Sequence, residues 1–443
     1  MSTRAAAAAI ACAAIVASPA LAATSAVADP AGPAAVEPGA PGPLTTPNTD
    51  ACPYRAAPPP PVDSSEVPAP GETAPAPLPV PAEPVGGGQL DECGATQPDG
   101  SPPLPTDISA AGWVLADLDT GEVLAAKDPH GRHRPASTIK ILLATLALDR
   151  LDLDTVVTAT DAEANVEGSR VGVGPGGTYS VHMLLRGLMM NSGNDAAQVL
   201  ADRMGGTDAT VSAMNALAEH LGALDTRTPT PAGLDGPGMS TSAYDLALMF
   251  RDAMENPEFA DLVSHGPVTF PGYPKSPSQI DQDRATVEQQ LANGVAPVVV
   301  DPSDPSAASA GAVGGTGSIG DGAGGMPAVD PVTGLAPPTV GPDGAPVVAP
   351  DNPGFLIVND NHLLSQYPGA IGGKTGYTDD AGQTFVGAAE RNGRRLVVTL
   401  LQGTRQPVDP WQQAASLSIT VLRCPPMLRW ARSSTRAPST PAG

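Results

Sequence analysis

Residues 384–403 read "TFVGAAERNGRRLVVTLLQG". Two apolar runs flank the pair Asn392-Gly393, which is the pair that type I′ turns prefer, so the stretch predicts an antiparallel β-hairpin. A second hairpin is predicted at 112–129 ("GWVLADLDTGEVLAAKDP"), where two short apolar runs surround a D-T-G turn. The strands of the fold therefore come from segments that lie far apart in the chain.

Between the two hairpins, apolar residues recur at helical spacing. This spacing predicts helices at Ser137–Leu151, Val181–Met190, Asp195–Arg203, 210–223 and 241–255. A hairpin, then helices, then strands predicts an α+β fold, in which an antiparallel sheet carries flanking helices and a helical subdomain.

Composition limits the number of domains and the kind of partner. The 443-residue chain has a formal charge of −23, with 52 prolines and 49 glycines that cluster in a few segments. Clustered proline and glycine favour one domain of moderate size flanked by segments without a core. Nucleic acid is not an expected partner, because a phosphate backbone requires a basic face and none is visible.

The N-terminus has the features of an export signal. Arg4 precedes an apolar run at 5–16, and an A-L-A tripeptide at 20–22 resembles a cleavage site, so residues 1–28 are interpreted as a signal peptide. The alternative is a membrane anchor, which needs about 20 apolar residues. The sequence predicts an exported, extracytoplasmic protein and leaves membrane association open.

The remaining organisation follows from three segments of biased composition. Residues 29–105 are rich in proline and are predicted to be an extended spacer. The folded domain is predicted at 106–420, interrupted at about 271–350 by a glycine-rich insertion that is expected to be disordered. Residues 421–443 form an atypical basic tail with four arginines and no acidic residue.

The cysteines and histidines do not indicate a metal site. Cys52 and Cys93 bracket the proline-rich stretch, and an oxidising compartment permits a disulfide between them, whereas Cys424 has no evident role. The H-G-R-H sequence that begins at His130 and ends at His133 lacks the glutamate of zinc-binding motifs and predicts a surface loop. No metal and no cofactor are expected.

Three short motifs carry the chemistry. Ser137 and Lys140 form S-x-x-K at a helix start, Ser192 and Asn194 form S-x-N between two helices, and K-T-G occupies 374–376 before the final hairpin. Each motif alone fits a plainer role, as a helix cap, an interhelical turn or a strand turn. In this order, and with two of the only four lysines of the chain, they predict an acyl-transfer site.

These motifs lie within longer stretches such as "YSVHMLLRGLMMNSGNDAAQVLAD" and "GGKTGYTDDAGQTFVGAAERNGRRLVV". The sequence at 107 to about 270 and 351 to about 405 resembles the low-molecular-mass D-alanyl-D-alanine carboxypeptidases, serine peptidases of the S11 type, and in particular their exported actinobacterial members. The resemblance implies a β-lactamase/DD-peptidase-like fold. It also implies a peptidoglycan stem peptide as substrate and β-lactams as covalent inhibitors.

Acyl transfer from an amide needs an activated hydroxyl, a base, an acid for the leaving amine and donors for the oxyanion. The base, an amine, must be neutral, which requires burial and a nearby cation. The resemblance implies the following roles: Ser137 as nucleophile, Lys140 as base, Ser192 as proton relay, Asn194 as holder of the substrate amide and of the base, Lys374 and Thr375 as binders of the terminal carboxylate, Gly376 as the point of close approach, and the backbone of Ser137 and Tyr377 as oxyanion donors.

Other activities share the three motifs. A class A-like β-lactamase would carry a glutamate, within E-x-x-L-N, between the second and third motifs. The corresponding region here, 228–241, reads "TPTPAGLDGPGMST" and contains no glutamate. A DD-endopeptidase or transpeptidase of the same fold remains an alternative, as does a non-catalytic module that binds the cell wall.

Overall fold

The computed structural model describes residues 46–300 and 336–422, the last four of these as backbone only, and the backbone of residues 431–432. The predicted signal peptide, the middle of the predicted insertion and nearly all of the predicted tail lie outside the described residues. Those three assignments therefore stay predictions.

One antiparallel sheet organises the fold. The strands are β1 (Ala95–Thr96), β2 (Gly112–Asp117), β3 (Glu122–Lys127), β4 (Val156–Thr158), β5 (Thr178–Ser180), β6 (Val268–Phe270), β7 (Tyr273–Pro274), β8 (Val298–Val299), β9 (Thr339–Val340), β10 (Asp351–Asn352), β11 (Phe355–Ile357), β12 (Ala370–Thr378), β13 (Gly382–Arg391), β14 (Arg394–Gly403) and β15 (Ala431–Arg432). The main sheet has the order β1-β3-β2-β14-β13-β12, with β15 also paired to β3. Four short two-stranded pairs complete the described strands.

Both predicted hairpins are confirmed. Asn392 and Gly393 have φ angles of 54° and 71°, and the left-handed backbone at both central positions is what a type I′ turn requires. The central pairing joins the two hairpins, because Leu115 of β2 lies opposite Val398 of β14. The sheet is thus built from the two ends of the domain, as the sequence predicts.

The helices occupy the stretches between these strands. They are α1 (Lys140–Arg150), α2 (Asp161–Ala164), α3 (Val181–Met190), α4 (Asn194–Arg203), α5 (Thr207–Leu221), α6 (Ala243–Ala253), α7 (Pro257–Ser264), α8 (Pro277–Ala292), α9 (Leu363–Gln366) and α10 (Pro410–Leu422). The five helices predicted from apolar spacing are confirmed, with shifts of a few residues at most ends. One difference matters for the site: Ser137 lies in a 3-10 turn, Ala136–Ile139, that precedes α1.

Two apolar cores cover the two faces of the sheet. Strand β14 shows why: Val397 and Leu401 join the larger core under α1, α3, α4 and α6, whereas Leu396 and Val398 join the smaller core under α10. Successive side chains of a strand point to opposite faces, so a strand that is buried on both faces reads as a continuous apolar run. Burial of each such side chain contributes about 1.5–3 kcal/mol. The centre of the sheet is therefore packed on both faces.

The described part of the predicted spacer lies against the domain, and we name residues 46–105 the N-terminal strap. A disulfide joins Cys52 to Cys93 within it. The guanidinium of Arg132 donates to the carbonyl oxygens of Ala56 and Pro79 at 2.9 and 2.8 Å. An extended proline-rich chain has no core of its own, but its carbonyls are free to accept bonds from the domain.

The strap also corrects the expectation for the H-G-R-H sequence. Arg132 and His133 are 1% exposed rather than on the surface, because the strap covers them. His130 bonds the strap carbonyl of Val85 at 3.0 Å and the carboxylate of Asp225 at 2.9 Å. Asp225 also accepts a bond from Arg132, so the side chains of His130, Arg132 and Asp225 are paired with one another.

The predicted insertion is not wholly irregular. Helix α8 lies within it, begun by a capping box between Ser276 and Gln279 and by a proline in its first turn. These local signals are sufficient to start a helix even though α8 buries none of its side chains. The expectation of disorder was wrong for this stretch.

Within the described residues, no helix combines the length and the apolar character that crossing a bilayer would require.

Candidate active site

The first motif places an amine directly beside the serine hydroxyl. The 3-10 turn leads into α1, so Lys140 lies one turn after Ser137 and its Nζ donates to Ser137 Oγ at 2.7 Å. Ser137 is partly exposed, while both its neighbours in the turn are buried. The hydroxyl therefore faces solvent on one side and a hidden amine on the other.

The second motif completes the surroundings of this amine. Lys140 Nζ also donates to Asn194 Oδ1 at 2.7 Å and to the carbonyl of Ala232 at 2.6 Å. Asn194 is the first residue of α4, and its own Nδ2 donates to the carbonyl of Glu167 at 2.7 Å. This second bond fixes the amide so that its oxygen, rather than its nitrogen, faces the lysine.

Burial sets the charge of the two motif lysines. Lys140 is 0% exposed, and desolvation, followed by the positive charge of Lys374, holds its pKa well below the ordinary value, against the opposing charge of Asp195. Desolvation lowers the pKa of Lys374 to about 8, with Asp360 opposing the shift. A buried amine that is easily deprotonated can act as a base near neutral pH.

The neighbouring Asp195 has a structural role. Its buried carboxylate accepts backbone N–H bonds from Val171, Gly172 and Val173 at 2.8–2.9 Å. The residue thereby ties the loop before α3 to the start of α4. It holds the second motif in place without contacting the serine hydroxyl.

The third motif lies on β12, the end strand of the main sheet among the described strands. A Cβ atom at Gly376 would come within 3.0 Å of the backbone nitrogen of Ser137. Glycine is thus required where the strand passes the nucleophile turn. The hydroxyl of Thr384, opposite Gly376 in β13, donates to the carbonyl of Pro135 at 2.8 Å and fastens turn and sheet together.

Ser192 lies in the turn between α3 and α4, with a left-handed φ of 59°. Such a backbone conformation costs about 1–3 kcal/mol in a residue with a side chain and is concentrated at functional sites. Among the described residues, the Ser192 hydroxyl forms no hydrogen bond, and 8% of the residue is exposed. Its assignment as a proton relay stays a prediction.

The loop at 228–241 fills the space near the nucleophile with backbone. Gly233 has a φ of +84°, and a Cβ there would lie 2.0 Å from the carbonyl oxygen of Ala136. The preceding carbonyl, of Ala232, is occupied by Lys140. The loop contributes no carboxylate to Lys140, because it meets the site through main-chain atoms.

The structure adds one candidate that the sequence reasoning missed. A cleft of about 280 Å³ is lined by Thr375 and Thr384 and also by Arg405 and Trp411. Arg405 is exposed and follows β14 in a short loop, with no motif around it. Arg405 shares this cleft with Thr375 and with the carboxylates of Asp360 and Asp409, so it is the cleft's cationic group for an anionic ligand. Only the folded arrangement brings it to the same cleft as the third motif.

Comparison with known proteins agrees with this geometry. Residues 96–282 match the peptidase S11 family, described as D-alanyl-D-alanine carboxypeptidase. The chain is 40% identical over 325 residues to the D-alanyl-D-alanine carboxypeptidase DacB2 of Mycobacterium tuberculosis. The aligned region covers 72% of this chain and 84% of that protein. The chain belongs to the D-alanyl-D-alanine carboxypeptidase family.

Solved structures support the same assignment for the fold. A D-alanyl-D-alanine carboxypeptidase from M. tuberculosis superposes with a TM-score of 0.56 at 38% identity, over 76% of this chain and 99% of that one. A mutant of the Streptomyces K15 DD-transpeptidase, at 24% identity and a TM-score of 0.50 over 72% of this chain and 97% of that one, shares the fold. The expected β-lactamase/DD-peptidase-like fold is confirmed. The expected α+β architecture of this chain is confirmed as well.

Proposed function

We propose that this carboxypeptidase removes the terminal D-alanine from peptidoglycan stem pentapeptides through an acyl-enzyme on Ser137. The enzyme is a serine-type hydrolase of the D-Ala-D-Ala carboxypeptidase family. The observation that carries the residue-level proposal is the 2.7 Å contact between Ser137 Oγ and the fully buried amine of Lys140.

In the acylation step, Ser137 Oγ attacks the carbonyl carbon of the penultimate D-alanine while its proton passes to neutral Lys140 Nζ. The carbonyl oxygen becomes an oxyanion and receives bonds from the backbone N–H groups of Ser137 and Tyr377. These donors belong to the turn and to β12, which approach each other at Gly376. Donors fixed before the reaction stabilise developing charge without reorganisation.

The leaving amine must then gain a proton as its C–N bond breaks. Ser192 is the relay in this proposal, since its hydroxyl is free to bond the leaving nitrogen and to receive the proton held by Lys140. Free D-alanine departs, and the ester on Ser137 remains. Water then attacks the ester carbonyl, Lys140 accepts the proton of the water, and cleavage of the C–O bond restores the serine hydroxyl.

The terminal carboxylate of the substrate would be held at the third motif. Lys374 supplies the positive charge and Thr375 a hydroxyl, and the cleft beyond them presents Arg405. Outer-strand pairing with β12 would align the peptide backbone, with Asn194 holding the substrate amide. This set of groups favours a peptide that ends in a free carboxylate.

We expect the purified domain to release D-alanine from a stem pentapeptide but not to release D-alaninamide from the same peptide with a C-terminal amide, with the shared tetrapeptide product measured for both by mass spectrometry. The reason is that the groups proposed to bind the carboxylate, Lys374 and Thr375, have no anionic partner in the amide. Release would be followed by enzymatic assay of D-alanine, with a fluorescent penicillin as a separate reporter of acylation. Rapid turnover of that penicillin, without D-alanine release, would instead support the β-lactamase alternative.

The two lysines predict a bell-shaped pH dependence of kcat/KM for the pentapeptide. The rate rises with pH as Lys140, whose pKa is well below the ordinary value, loses its proton and becomes a base. The rate falls above pH about 8, because Lys374 has a pKa of about 8 and must be charged to hold the carboxylate. A profile that keeps rising up to pH 10 would contradict the role given to Lys374.

The same proposal also implies which molecules the enzyme binds and where it acts. Penicillins and other β-lactams would acylate Ser137 and act as covalent inhibitors, because they present an amide to the same donors. The substrate is cell-wall peptidoglycan, so the enzyme would act outside the cytoplasmic membrane, with residues 1–28 directing export. No cofactor enters any step.

A further inference from the structure

The N-terminal strap contacts the catalytic domain close in sequence to both proposed oxyanion donors. At residues 62–66 it contacts two charged residues of the catalytic domain. Arg134 forms a two-bond ion pair with Glu66, in which Nη2 lies 2.8 Å from Oε2. Asp380 accepts bonds from the backbone N–H of Val62 and, at 2.8 Å, from the hydroxyl of Ser65.

The positions of these two anchor residues are the central observation. Arg134 lies three residues before Ser137, and Asp380 lies three residues after Tyr377. Ser137 and Tyr377 are the two residues whose backbone N–H groups form the oxyanion hole in the proposed function. One five-residue stretch of the strap therefore holds both of the backbone segments that supply the donors.

The ties are buried and charged, and hence specific. Arg134 is 2% and Asp380 7% exposed, and the side chain of Glu66 is 14% exposed. Charge-assisted and two-bond contacts of this kind are stronger and more directional than neutral bonds. The stretch is flanked by four prolines at 58–61 and by Pro68, which limit the conformations of the chain on either side of these contacts.

Among the described residues, the bond from Thr384 of β13 to the carbonyl of Pro135 also ties the hairpin to the nucleophile turn. That bond lies near the turn end of the hairpin formed by β12 and β13, and Asp380 lies in the turn itself. Loop tips without anchors open more readily than the strands they join. The strap thus adds a second anchor at this end of the hairpin, in the turn that the bond from Thr384 leaves unanchored.

We propose that strap residues 62–66 position the oxyanion hole, with Glu66 and Ser65 as positioning residues. The proposal rests on the proposed function, since it concerns the same two donors. Neither residue contacts the reacting atoms. Each acts through its partner, Glu66 through Arg134 and Ser65 through Asp380.

The test is acylation of Ser137 by a fluorescent penicillin, measured by stopped flow to separate the initial binding constant from the acylation rate constant. We expect Glu66→Ala and Ser65→Ala each to lower the acylation rate constant about 3- to 30-fold, because a misplaced donor costs up to about 10²-fold. The initial binding constant should change less than about twofold. The variant Glu66→Gln, which keeps a hydrogen-bond acceptor for Arg134, should restore part of the rate.

Glu72→Ala is the matched control, because Glu72 lies in the strap with an exposed side chain. It should acylate at the wild-type rate. Ser65→Ala removes a single hydroxyl bond and keeps the test valid if Glu66→Ala does not fold.

A lower melting temperature with an unchanged acylation rate constant would make the strap merely structural and overturn the proposal. Wild-type protein that is not acylated at Ser137 would overturn the proposed function as well.

Discussion

Replacing Ser137 by alanine is expected to abolish both D-alanine release and covalent labelling by penicillin. Loss of the nucleophile of such a site lowers kcat by about 10⁴-fold or more, because no other group can form the acyl-enzyme. The fold should be unaffected, since among the described residues the Ser137 hydroxyl caps no helix and its hydrogen-bond partner is Lys140. Mass spectrometry of the penicillin adduct and thermal unfolding would measure the two effects.

Ser180→Ala is the control that separates a nucleophile from a helix cap. Ser180 Oγ accepts the backbone N–H of Met183 at 3.1 Å and caps α3. Its loss should cost about 1 kcal/mol of stability and leave acylation intact. Ser137→Ala should show the reverse pattern. If Ser137→Ala still formed the adduct, the nucleophile would have to be another residue.

Replacing Lys140 by methionine is expected to slow acylation by about 10²–10⁴-fold, the range that a positioned general base contributes. Methionine nearly preserves the volume of the buried side chain, but it cannot accept the proton of Ser137. The noncovalent binding of penicillin should change little, because Lys140 contacts the hydroxyl of Ser137 and does not line the cleft that holds Thr375 and Arg405. Stopped-flow labelling would separate the two constants.

The same substitution at Lys275 provides the control. Lys275 forms an ion pair with Asp283 at the start of the predicted insertion, outside the site. Lys275→Met should therefore acylate at the wild-type rate. Equal rates for Lys140→Met and the wild type would mean that another base activates the serine. The proposed mechanism would then be wrong.

The sequence predicted those parts of the molecule that depend on local pattern. The hairpin at Asn392-Gly393 follows from one turn pair and two apolar runs, and both are confirmed. Ser137 and Lys140 meet because the residues are one helical turn apart, a distance that the motif itself encodes. The structure also places Asn194 beside Lys140, as the resemblance to the carboxypeptidases implied.

The parts that were missed depend on distant contacts. Arg405 has no local signal, and it lines the same cleft as Thr375 only because the end of β14 pairs with the start of β13. The burial of Arg132 could not be read from its own neighbourhood, since its partners are strap carbonyls more than fifty positions away. Proline-rich composition shows that a segment lacks a core, but it does not show whether a folded surface offers donors to it.

The pairing of β2 with β14 has a consequence for how this protein is made. The centre of the sheet joins residues near 115 to residues near 398, so its closure requires nearly the whole domain to be available. Folds dominated by such non-local pairs form slowly, because the entropy of closing a long loop must be overcome first. The nucleophile turn alone cannot form the oxyanion hole, since its partner strand β12 is made late. A nascent or truncated chain that ends before β14 should therefore possess the serine and the lysine but lack the catalytic centre.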